Sequence, residues 1–218
     1  MNWKQKLENI FEQTLRQDFS NSLGESLFNF YAQENPVLDI PKGSCLRWRN
    51  LRNYIYSFPK KPEFLLVGEA PGARGCRFSG IPFTSEKLIV KEGIPVQGMQ
   101  SSQNPIPLSE NTATIFWKIM KPYAHSFFVW NVVPLHPHQP NNPMKNRSPN
   151  KKEIYTFLRL LLSVIEVIRP KKVAAIGKTA YQALSDTLKI HCVYIRHPSY
   201  GGKKEFQDQI LKLFASQR

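Results

Sequence analysis

Residues 64–86 read FLLVGEAPGARGCRFSGIPFTSE, and the first few of them decide how the rest of the chain is understood. Residues 64–67 form a continuous apolar run, the pattern of a short strand buried on both faces, as in a parallel sheet. The run empties into Gly68-Glu69-Ala70-Pro71-Gly72, a turn carrying a single carboxylate. Similar runs recur at 127–133, 173–176 and 192–195, and helical patterns at 112–120, 154–168 and 179–188 lie between them. This alternation predicts an α/β fold: a three-layer α/β/α sandwich around a mainly parallel four-stranded sheet, joined by right-handed crossovers.

Upstream, Trp3, Leu7, Ile10, Phe11 and Leu15 recur at three- and four-residue spacing, which predicts an amphipathic helix. A second helix is expected within 24–33. Residues 1–60 thus read as an N-terminal helical and basic lead-in to a core at 61–218, the whole chain forming one domain. The segment SCLRWRNLRNY (44–54) fits two descriptions, a basic surface resting on phosphates or a helix whose aromatics pack inward. Downstream, Asn150 and Glu153 have capping-box spacing for the long helix, and Pro170 marks its end. Residues 91–111 and 134–149, rich in Pro, Asn, Ser and Gln, read as long loops.

The 218 residues carry 30 Lys and Arg against 16 Asp and Glu, a formal net charge of +14. Such a balance points to an anionic partner, nucleic acid before membrane. No stretch has the length and apolarity of a membrane span, and the charged start is unlike a signal peptide, so a cytoplasmic, nucleoid-associated monomer is expected. Cys45, Cys76 and Cys192 are odd in number and form no CxxC pair, which argues against a disulfide framework or a four-thiolate site. His136 and His138 invite a metal reading. The neighbouring prolines are expected to splay the pair, no carboxylate or cysteine adjoins it, and no metal is predicted.

Ligands of open parallel sheets bind beyond the carboxyl ends of the strands. Three such ends carry chemistry here: Glu69 in the GEAPG turn, Asn131 in VWNVV, and Arg196-His197-Pro198-Ser199. Gly177-Lys178 reads as a tight strand-to-helix turn. Gly177-Lys178-Thr179 spells the end of a phosphate-binding loop but lacks its upstream glycine, and no GxGxxG occurs. A carboxylate, an amide and an imidazole at the ends of one sheet suit acid–base chemistry and base reading.

GEAPG (68–72), Asn131 at a strand end and HPS (197–199) together resemble the motifs of the uracil-DNA glycosylase superfamily, the first motif being most similar to the family 4 type. GIPF (80–83), NRSPNKKEI (146–154) and IRPKKVAAIGKTAYQAL (168–184) extend the resemblance over roughly residues 64 to 205. The chain departs from family 4 in having too few cysteines for its iron–sulfur cluster, so no cofactor is expected. Ala73, Arg74 and Gly75 replace the acidic residues that usually follow the first motif, as in a less studied, bacterial-type branch.

The resemblance implies a monofunctional DNA glycosylase that hydrolyses the bond to uracil or another deaminated base, leaving an abasic site in base excision repair. It assigns Glu69 to activating water and His197 to stabilising the departing base. Gly68, Ala70, Gly72, Phe83, Asn131 and Ser199 would hold the substrate, with Asn131 reading the base edge and Phe83 stacking on it. Gly72 stands where bulky residues of some relatives exclude thymine's methyl group, which implies a wider pocket. Arg147, Arg196, Tyr200, Lys203 and Lys204 would contact DNA, Tyr200 as a wedge in a flipped duplex. A non-catalytic damage-sensing module on the same fold and a nucleotide or nucleoside hydrolase remain alternatives.

Overall fold

The computed structural model describes residues 1–91 and 93–215. The N-terminal part runs α1 (Trp3–Leu15), α2 (Ser20–Leu23), β1 (Leu27–Phe28) and α3 (Gly43–Tyr56). The opening apolar run forms β2 (Phe64–Gly68), with every residue buried, followed by α4 (Cys76–Ser79), α5 (Glu86–Val90) and α6 (Asn111–Met120). Next come β3 (Phe127–Asn131), β4 (His136–Gln139), β5 (Asn142–Asn146) and α7 (Lys151–Ile168). The chain closes with β6 (Lys172–Ile176), α8 (Lys178–Tyr181), β7 (Val193–Ile195) and α9 (Lys203–Ala215). A π-helical stretch, Gln182–Thr187, continues α8.

The four predicted strands form one parallel sheet in the order β3-β2-β6-β7. Alternation along the strands assigns the layers, because successive side chains point to opposite faces. On one face Phe127 meets Phe116 of α6, and Phe64, its register partner on β2, meets Phe214 of α9 at 4.4 Å. On the other face Phe128 stacks with Tyr54 of α3, and Trp130 stacks on Phe11 of α1 at 4.1 Å. Helices on both faces of a parallel sheet make the α/β/α sandwich. The N-terminal helix is built into its core, with Leu7, Phe11 and Leu15 fully buried.

The Asn150–Glu153 capping box opens α7 as expected, with Asn150 Oδ1 accepting from the Glu153 N–H at 2.9 Å. Segment 44–54 lies in α3 with its aromatics turned inward. Arg47 is fully buried and paired with Asp39, so its charge serves the interior and not phosphates.

Two expectations are corrected. Residues 24–33 are not a helix. Gly24, at φ +83°, ends α2; Leu27 and Phe28 pair with β4; and the Asn29 amide donates to the carbonyls of Leu15 and Gln17. Residues 134–149 are not only loop, because β4 and β5 form an antiparallel hairpin that joins β1 in a second, three-stranded sheet. The 93–110 segment does run without helix or strand, but it is tied down. Buried Glu86 accepts from the N–H groups of Ser101, Ser102 and Leu108.

Candidate active site

The site forms where β2, β3, β6 and β7 end. Gly68 pairs with Asn131 across the β2–β3 ladder, and the N–H groups of Val132 and Val133 donate to the carbonyls of Gly68 and Glu69. The backbone carrying Glu69 is therefore clamped by the continuation of β3. Gly68 is required by close approach. A Cβ there would lie 2.4 Å from the Phe83 ring and 2.7 Å from Asn131 Oδ1, so the aromatic ring and the amide converge over one glycine.

Phe83 reaches this position through a left-handed backbone, φ +52°, which costs a non-glycine residue about 1 kcal/mol or more. Its ring is backed by Phe116 at 4.8 Å and lies 5.9 Å from the His197 ring. Asn131 is buried, and its amide stands at the site without facing bulk water.

His197 follows β7. Its Nδ1 accepts from the Ser199 backbone N–H at 3.3 Å and lies 2.7 Å from the Ser199 hydroxyl. A nitrogen that accepts an N–H carries no proton, so the neutral ring holds its proton on Nε2. Burial, and then the neighbouring Arg196 cation, lower the His197 pKa to about 4. At neutral pH the residue is an uncharged imidazole with Nε2–H as its donor.

Glu69 is half-buried, and its Oε2 accepts a hydrogen bond from the Thr179 hydroxyl at 2.5 Å. The rest of the turn is held from the hairpin. The His136 ring lies between Pro71 O (2.9 Å from Nδ1) and Pro143 O (3.1 Å from Nε2), and Asn146 Oδ1 accepts from Ala73 N–H at 2.9 Å. Ala70 packs against the core edge. The space expected beside Gly72 is taken. A Cβ on Gly72 would meet Glu110 Oε1 at 1.9 Å, and one on Gly75 would meet Oε2 at 2.2 Å. Burial pushes the Glu110 carboxyl up to about 7.

Beyond His197 the chain makes a tight turn. Tyr200 is 97% exposed at φ +50°, and Gly202 passes so close to the His197 carbonyl that a Cβ would lie 2.2 Å from it. Arg196 reaches back over this turn toward the carbonyls of His197 and Tyr200 at 3.4 Å, and Lys203 and Lys204 stand exposed at the start of α9. Arg147 is elsewhere. Its guanidinium pairs with Glu153 and donates to the carbonyls of His138 and Ser26, so the side chain expected on DNA is spent inside the protein.

His136 and His138 are also not splayed. They lie two residues apart on one face of β4 with rings stacked at 5.8 Å, and both His136 nitrogens and His138 Nδ1 face backbone carbonyls. Among the described residues no group of three His, Cys, Asp or Glu is placed to hold a metal ion. Sequence reasoning missed Thr179, Glu110 and the anchoring role of His136. Only Thr179 left a signal, as the end of a strand-to-helix turn in the same sheet.

The candidate site thus sets a carboxylate, an amide and a neutral imidazole at the strand ends of an open parallel sheet. The chain belongs to the Uracil DNA glycosylase superfamily, whose family description it matches over residues 55–215. In structure it is similar to SMUG2 of Pedobacter heparinus, with a TM-score of 0.70 at 17% identity over 99% of this chain and 98% of the other. That likeness is one of fold. No curated protein matches the chain.

Proposed function

We propose that the chain is a monofunctional DNA glycosylase that excises uracil, or another deaminated base, and leaves an abasic site for base excision repair. The observation that carries this reading is the convergence of Phe83 and Asn131 over Gly68, beside Glu69 and a neutral His197. Breaking an N-glycosidic bond puts positive charge on the sugar and negative charge on the leaving base, and a site is effective when it stabilises both.

The Glu69 carboxylate orients the attacking water and takes its proton as the water oxygen bonds to C1′. The bonding pair of the C1′–N bond leaves with the base. The His197 Nε2–H donates to a base oxygen, and this hydrogen bond strengthens as the oxygen becomes anionic. The Asn131 amide offers one donor and one acceptor, matching the O4 and N3–H edge of uracil and mismatching cytosine. Phe83 stacks on the flipped base, a contact of about 1–3 kcal/mol. Gly68 and Ala70 bring the turn close to the nucleotide, Gly72 makes room for the Glu110 carboxyl, and Ser199 fixes the His197 tautomer. Arg196, Tyr200, Lys203 and Lys204 engage the DNA around the extruded base, and the chain acts as a single-domain monomer.

The test incubates the protein with oligonucleotides carrying one uracil, hypoxanthine or xanthine, followed by alkaline cleavage of abasic sites. Product from at least one substrate is expected. DNA binding with no product from any of them would instead indicate a non-catalytic, damage-sensing module.

A further inference from the structure

The turn Gly177-Lys178-Thr179 plays no part in the chemistry above, yet it delivers the hydroxyl that touches Glu69. β2 and β6 are parallel neighbours with Val67 opposite Ala175, which brings Glu69 level with Gly177. Gly177 stands at φ +90°, and its position is 3.7 Å from the His197 Cβ by way of the Cβ it lacks. This left-handed turn starts α8 at once, and two residues later the Thr179 hydroxyl meets Glu69 Oε2. Helix capping does not account for the contact, since Gly177 is the N-cap and no side chain caps α8.

We propose that Thr179 is a positioning residue, which holds Glu69 in the rotamer that presents its other oxygen to the attacking water. The inference rests on the assignment of Glu69 to water activation. The Glu69 side chain has three torsions, and one short hydrogen bond from a β-branched side chain, itself restricted at χ1, limits that freedom. Thr179 occupies one oxygen and leaves Oε1 for water. It does not touch the substrate.

The experiment measures single-turnover excision of uracil from an oligonucleotide, together with DNA affinity by fluorescence anisotropy, for the full-length wild type, Thr179→Val, Thr179→Ser, Thr179→Ala and Glu69→Gln. The expected result is a loss of roughly 10- to 100-fold in rate for Thr179→Val and Thr179→Ala at saturating protein, because small misplacements of a reacting group cost rates of that order. DNA affinity stays unchanged, and Thr179→Ser stays within about threefold of wild type because the donor is retained. Valine preserves shape and serine preserves the hydroxyl, so a purely packing role would give the opposite ranking and overturn the proposal. Wild-type rates for both Thr179→Val and Thr179→Ala, with Glu69→Gln impaired, would overturn it and leave the role of Glu69 standing. A fully active Glu69→Gln would remove both.

Discussion

At the scale of single residues, His197 carries the sharpest electrostatic statement. Its pKa of about 4 means that the ring stays neutral across the physiological range. The single-turnover rate between pH 5 and 8 is therefore expected to show no histidine limb near 6.5, and a limb there that disappears in His197→Asn would contradict the neutral-donor role. Glu110 gives a second pH prediction, this time on stability. Its folded pKa, about 7, lies above the ordinary carboxylate value of 4.5, so the folded state holds the proton more tightly. The stability is complete below pH 4.5 and falls as pH rises to 7, by up to about 3 kcal/mol for a shift of this size. Denaturant titrations should show Glu110→Gln more stable than wild type at pH 8 and level with it near pH 4.5. Equal stability at pH 8 would show that the carboxyl ionises freely.

At the scale of elements, the close approach at Gly68 and the hairpin behind the Glu69 turn are the parts most exposed to mutation. Gly68→Ala places a methyl group 2.4 Å from the Phe83 ring, so Phe83 and Asn131 must move apart. Overpacking of this kind costs about 1–3 kcal/mol, and activity is expected to fall further than stability because the displaced groups are those proposed to read the base. Thermal melts beside excision assays separate the two effects.

The sheet was legible because β2, β3 and most of β6 are buried and read as unbroken apolar runs, whereas β7 at the edge is only partly buried, with Val193 41% exposed. The candidate site was sought where those strands end, because ligands of open parallel sheets bind there. The hairpin was not. HPHQ and NPMKN lack β-branched residues and apolar alternation, and the hairpin is tied to distant partners: β4 to β1, His136 to the Pro71 carbonyl, and Arg147 to the Ser26 carbonyl. Thr179 and Glu110 were hidden for a related reason, since their partners lie 110 residues away in one case and on a different loop in the other.

For the whole molecule, the net charge of +14 predicts DNA affinity that falls steeply with salt. The exposed turn beyond His197 concentrates cations beside the site, with Lys203 and Lys204 free of the internal ties that hold Arg147. Replacing both lysines with alanine should weaken binding uniformly across sequences and lower the slope of log affinity against log salt by about 1–2. Among the described residues no helix is long and apolar enough to cross a membrane. In the proposed function, the strand ends bordered by this basic turn receive an extruded nucleotide.

The most direct test of that account is the single-turnover rate of uracil excision by Glu69→Gln at protein concentrations that saturate the DNA. Loss of a general base of this kind costs about 100-fold or more, and such a loss with unchanged DNA affinity is the predicted result. Excision by Glu69→Gln at the wild-type rate would contradict it.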